Sequence, residues 1–181
     1  NAKRYQIPRA QLIIADIPYN IGTNAYGSRS DWYIDGDNKN GESNKAGKTF
    51  FDTDYDFKIY NFFQFCVRLL KKEPKETGKA PCMIIFCSWQ QLNEIREYAK
   101  GFGFKHAQPL FFIKKTSSQV LKANMRVCGA TETAIVLYRD KLPKFNNNGR
   151  MILDWFEWDR GGNYPKIHPT QKPVTLLKQL I

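Results

Sequence analysis

The sequence predicts an α/β fold: a mostly parallel sheet with helices on both faces. Three observations carry this: runs of strand length that are apolar on both faces, amphipathic helical stretches between them, and a proline that stops the first run beside an acidic residue.

The first run, Gln11-Leu12-Ile13-Ile14-Ala15, ends at Asp16-Ile17-Pro18-Tyr19-Asn20, where the proline forbids further central pairing. Residues 22–56 then turn to Gly, Asn, Ser, Asp and Lys with scattered aromatics. A connection that long inside a domain is a functional or mobile loop, so it is expected to border an active site or touch DNA. From Phe57 to Lys72, Ile59, Phe62, Phe63, Cys66, Val67, Leu69 and Leu70 share one helical face. Lys71 and Lys72 suit the negative end of that helix dipole.

Pro81-Cys82-Met83-Ile84-Ile85-Phe86-Cys87 is a buried strand by length and composition, and Gln90 to Lys100 reads as a helix closed by Gly101. Phe104 to Ile113 and Ala130 to Tyr138 give two more strands. Residues 140–165 read as irregular, with an Asn-Asn-Asn-Gly turn at 146–149 and aromatics at Trp155, Phe156 and Trp158. A last helix starts at Pro173.

At 181 residues the chain is expected to be one domain, spanning 1–181. No stretch approaches the ~20 apolar residues of a membrane helix, and no secretory leader is visible, so the expectation is a cytoplasmic, soluble protein with no membrane partner. Cys66, Cys82, Cys87 and Cys128 lack zinc spacing and read as reduced core residues, and no metal is expected. With 28 Lys and Arg against 17 Asp and Glu, the net charge of +11 would draw phosphate, which makes nucleic acid the leading partner class. Lys114, Lys115, Lys122, Arg126, Lys141, Lys144 and Arg150 are the cations considered for that contact, as a group.

Two segments carry chemistry. Asp16-Ile17-Pro18-Tyr19 sits at the carboxyl end of a strand, where open α/β sheets bind ligands. A carboxylate there can accept one N–H of an amino group, a carbonyl in the stiffened turn the other, and a tyrosine offers a face for stacking a base. Alone, the tetrapeptide reads more simply as a turn cap, a strand stop and a packed ring. Ile167-His168-Pro169-Thr170-Gln171-Lys172-Pro173-Val174 sets a lysine, a hydroxyl and an amide at a helix start, which suits a small molecule carrying a carboxylate. Its simpler reading is a helix entry that caps itself.

The order of strand, D-x-P-Y-N, long loop, aromatic helix, strand–helix units and H-P-T-Q-K-P resembles bacterial amino-methyltransferases of the β circular arrangement, over nearly the whole chain. Phe50-Phe51-Asp52, Leu69-Leu70-Lys71 and Glu132 ahead of a strand are also similar to that family, whose members have D-P-P-Y where this chain has Ile17 in place of the first proline.

The resemblance implies a Rossmann-like methyltransferase sheet, S-adenosylmethionine as cofactor and double-stranded DNA as substrate. It implies that Asp16 accepts a hydrogen bond from the target amine and also borders the cofactor, that the Ile17 carbonyl takes the other proton, that Pro18 shapes the turn and that Tyr19 stacks on the base. It further implies that His168, Thr170 and Lys172 line the cofactor pocket, with Lys172 facing the methionine carboxylate, and that 140–165 serves target recognition. Asp in the first motif position favours adenine N6 over cytosine N4. A non-catalytic DNA-binding relative is the alternative from another class.

The family's F-x-G-x-G-like turn is expected downstream of H-P-T-Q-K-P, beyond Ile181, because Gly101-Phe102-Gly103-Phe104 follows a helix and has the wrong context. The cofactor-binding half of the sheet is therefore expected in a continuation of the chain or in a partner, a second copy included.

Overall fold

The computed structural model describes residues 5–20, 56–115, 130–158, 165 and 171–181. The chain divides into two compact units, one of residues 1–17, 58–114 and 132–181, the other of 18–57 and 115–131. The long loop at 22–55 and the basic residues Lys122 and Arg126 lie outside the described residues, as do Phe50-Phe51-Asp52, Cys128, His168 and Thr170.

Five strands form one sheet in the order β1-β2-β4-β3-β5. They are β1 Leu12–Asp16, β2 Cys82–Cys87, β3 His106–Ile113, β4 Thr131–Tyr138 and β5 Trp155–Glu157. The β1–β2 pair is parallel, with Asp16 opposite Phe86, and β3 and β5 are parallel too. The sheet is nevertheless mixed rather than mostly parallel, because β4 runs antiparallel to β2 with Thr133 opposite Cys87. Apolar runs disclose burial on two faces but carry no mark of strand direction, which is why the pattern alone pointed to parallel pairing.

Helix α1, Ile59–Leu69, buries Ile59, Phe63 and Cys66, the spacing of one helical face. Its exit is stitched to the start of β1: Ala10 N–H donates to the Leu69 carbonyl at 2.7 Å and Lys71 N–H to the Ala10 carbonyl at 3.0 Å. Beyond β2, Ser88 and Gln91 form a capping box around a short 3-10 turn at Trp89–Gln91, which leads into α2, Leu92–Gly101.

The glycine that closes α2 is Gly103, not Gly101. Gly103 has φ +84°, its N–H reaches the Lys100 carbonyl at 3.0 Å, and Phe104 N–H reaches Ala99 at 2.9 Å, the paired bonds of a Schellman closure. Gly101 still belongs to the helix. Phe104 is buried and packs edge-on against Phe63, and Phe63 stacks on Phe102 at 5.6 Å, joining α1 to the end of α2.

Alternation along the strands separates two buried faces. On one, Ile84, Phe86, Leu110, Phe112, Ala134 and Val136 pack with Trp158 and with Leu176 of the short helix α3, Val174–Gln179. Met83, Ile85, Ile135 and Leu137 have the opposite parity and are completely buried as well. Helices therefore serve both faces, as expected.

Residues 140–165 are not wholly irregular, since β5 lies within them. Asn148 and Gly149 both take positive φ and Arg150 N–H donates to the Asn147 carbonyl at 3.0 Å, a type I′ turn at the predicted place. Cys66, Cys82 and Cys87 are free thiols, and burial pushes the Cys87 thiol up to about 12. No helix among the described residues is long and apolar enough to cross a membrane.

Candidate active site

The register fixes where the chemistry can gather. Asp16 ends β1 opposite Phe86, and Thr133 of β4 stands opposite Cys87, so Asp16, the end of β2 and Glu132 line one end of three adjacent strands. The Thr133 hydroxyl donates to the Cys87 carbonyl at 2.6 Å and pins that end of β4 to β2. Lys172, two residues before α3, reaches in from the far end of the sequence.

Its ammonium lies 3.1 Å from Asp16 Oδ2 and 3.0 Å from Glu132 Oε2. Lys114, just past β3, pairs with Glu132 Oε1 at 2.5 Å. Each ammonium also sits over an aromatic ring, Lys172 over Phe86 at 5.3 Å and Lys114 over Trp158 at 4.9 Å. Signs alternate along the cluster: Lys114, Glu132, Lys172, Asp16. Exposure is graded as well, from 14%, 19% and 10% for the first three side chains to 42% for Asp16. Asp16 is the end that solvent, and hence a substrate, can reach.

Burial alone would raise the Glu132 carboxyl above its ordinary value, but the Lys172 and Lys114 ammoniums outweigh burial and hold it below 4.5. A carboxyl depressed by folding contributes stability that is complete above its unfolded value and is lost as pH falls through its folded one. Denaturant midpoints taken from about pH 7 down to about pH 3 should therefore fall more steeply below the ordinary carboxylate range for the native protein than for Glu132→Gln. Parallel curves for the two would remove this account.

Ile17 is buried, and its N–H donates to the Phe86 carbonyl at 3.2 Å. Proline could not make this bond, so the residue that departs from D-P-P-Y ties the turn to β2 by a hydrogen bond where proline would stiffen it by its ring. Pro18 and Tyr19 follow directly in the chain, both partly buried, and belong to the second unit.

Of the predicted residues, then, the structure brings together Asp16 and Lys172. Lys172 was expected to face a cofactor carboxylate and is found between two carboxylates of the protein. Lys114, grouped with the DNA-contacting cations, is instead largely buried and committed to Glu132, because the end of β3 delivers it there. Of the others in that group, Lys115, Lys144 and Arg150 are exposed. Glu132 was noted only as a point of resemblance. In the sequence it is one charged residue ahead of a strand, and only the β2–β4 register reveals its neighbours.

An open α/β sheet with a charged cluster at the carboxyl end of its parallel pair defines a ligand-binding domain of the doubly wound class. The chain belongs to the DNA methylase family, N6_N4_Mtase, whose family model matches residues 10–181. Among solved structures, the fold is similar to that of an M1.HpyAVI–SAM complex at 18% identity and TM-score 0.60, covering 98% of this chain and 67% of the other. A structure of M1.HpyAVI is also similar, at 14% identity and TM-score 0.51, covering 85% of this chain and 57% of that one. Comparison with curated proteins gives no match.

Proposed function

We propose that this chain is the catalytic part of a DNA methyltransferase that transfers a methyl group from S-adenosylmethionine to adenine N6. The single observation that carries the proposal is the 3.1 Å approach of Lys172 to Asp16, which joins the D-x-P-Y and H-P-T-Q-K-P segments in one site. Family membership and the fold shared with a SAM-bound neighbour support it.

The residues present suit the cofactor. Its amino-acid end carries an ammonium and a carboxylate, and the cluster offers both signs. Lys172 places an ammonium between the two carboxylates, a positive charge that would attract the carboxylate of the ligand. His168 and Thr170 are proposed to border the same ligand, and Asp16 to lie between it and the base. When bound, the cofactor supplies an electrophilic methyl on a sulfonium.

The protein's part is to make a weak nucleophile competent. The adenine amine shares its lone pair with the ring. Asp16 accepts a hydrogen bond from one N–H and the Ile17 carbonyl from the other, which localises the pair on nitrogen and gives the departing proton an acceptor. Pro18 shapes the turn, and Tyr19 stacks on a base extruded from the helix, an extrusion that costs a few kcal/mol. The net charge of +11 attracts the double-stranded DNA on which the base is carried. Such an enzyme works in the cytoplasm, in restriction–modification or as an orphan or phage modification enzyme.

The test is transfer of labelled methyl to DNA by the full-length protein, followed by nucleoside analysis. N6-methyladenine is the expected product. N4-methylcytosine would move the target within the same family, and no transfer despite cofactor binding would defeat the enzymatic reading.

A further inference from the structure

We infer that Glu132 is a positioning residue of the Asp16 site: its buried carboxylate fixes the Lys172 ammonium against Asp16 and so sets how Asp16 presents its oxygens. The inference rests on the amino-methyltransferase reading and deepens it by adding a residue from outside the two motif segments.

Geometry makes the case. Asp16 and Glu132 stand at the same end of β1 and β4, with β2 between them and two residues of offset along the strands, so their backbones are about 12 Å apart at the usual strand geometry. One ammonium spans the gap, 3.1 Å from one carboxylate and 3.0 Å from the other. A lysine held at one end only has a flexible four-carbon stem and directs nothing well. Lys172 is held from behind by Glu132 and from beside by the Phe86 ring. Glu132 is itself fixed, because its other oxygen takes Lys114, and Lys114 rests on Trp158 in the core. The chain of contacts thus runs from the buried core to the one well-exposed carboxylate.

Charge points the same way. Among the described residues two ammoniums meet two carboxylates here, and removing the Glu132 charge leaves two poorly exposed ammoniums with one carboxylate fewer. Lys172 then loses the charged contact that holds it where it orients Asp16. The depressed titration of Glu132 shows that it carries its charge at neutral pH.

The experiment uses the full-length protein with Glu132→Gln, Lys172→Met and the double variant. kcat is measured at saturating S-adenosylmethionine and DNA, per active site counted by calorimetric S-adenosylmethionine stoichiometry, alongside KM for DNA. Glu132→Gln should lower kcat on the order of 10²-fold with little change in KM, as small misplacements of a reacting group do. The double variant should be no slower than Lys172→Met alone, because Glu132 acts through Lys172. The carboxyl NMR signal of Asp16, assigned through Asp16→Asn and recorded without cofactor, should move in Glu132→Gln.

Losses that multiply in the double variant, or a wild-type kcat per competent site in Glu132→Gln, would overturn the inference. Should Glu132→Gln not fold, Glu132→Asp serves: one methylene shorter, it cannot hold both ammoniums, so its kcat should fall as well, and an unchanged kcat overturns the inference. Full transfer by Asp16→Ala would remove the enzymatic reading and the inference together, whereas transfer that needs Asp16 but not Glu132 removes the inference alone.

Discussion

Asp16→Ala should cut methyl transfer on the order of 10²–10⁴-fold, the range that a lost acid–base or charge-stabilising group commonly costs. The fold should survive. The Asp16 side chain is 42% exposed, so its loss opens no cavity, and Lys172 keeps Glu132 at 3.0 Å. A half-exposed ion pair contributes ~0–1 kcal/mol, too little to unfold a domain. Circular dichroism and melting temperature should stay close to those of the native protein while label incorporation into DNA disappears. Retained transfer would remove Asp16 from the chemistry, and a collapsed spectrum would show that the carboxylate is needed for folding.

The largest effect on stability should come from Phe112→Ala, at about 3–5 kcal/mol. Phe112 is fully buried near the end of β3, with ring neighbours on three sides: Phe86 at 5.0 Å, Phe156 at 5.5 Å and Trp158 at 6.4 Å. Those rings are large and interlocked, so the cavity left by truncation can collapse only in part. Phe86 and Trp158 are also the surfaces beneath the two ammoniums of the charged cluster. Denaturant titration measures the loss, and a change below about 1 kcal/mol would show that the aromatic cluster repacks freely.

Much of this could be read in the residues, and what could not has a physical reason. β2 and β4 were visible because a strand covered on both faces writes a continuous apolar run, and α1 was visible because Ile59, Phe63 and Cys66 keep the helical period. β5 was missed. It is three residues long at the sheet edge, Trp155 is exposed, and its pairing with Phe111 to Ile113 is non-local. The glycine that closes α2 was misplaced by two positions because two glycines stand close together, and only the backbone shows which one takes positive φ.

In the site, Asp16 was legible because a proline-stopped strand puts its acid at the rim. Lys172 was legible because two prolines frame it. Glu132 and Lys114 were not, since a charge beside a strand ordinarily faces water, and their burial follows from register and from where β3 ends. Asp16 and Lys172 were expected to converge, and they lie 3.1 Å apart; that Lys172 would be shared between two carboxylates was not foreseen.

The four charges of the cluster come from positions 16, 114, 132 and 172, and that order bears on synthesis. A nascent polypeptide displays its amino-terminal portions first. By then Asp16, Lys114 and Glu132 have left the ribosome, and the cation that bridges the two acids has not. Until Lys172 follows, both acids lack that bridge, so the charged cluster is completed only after all five strands have emerged.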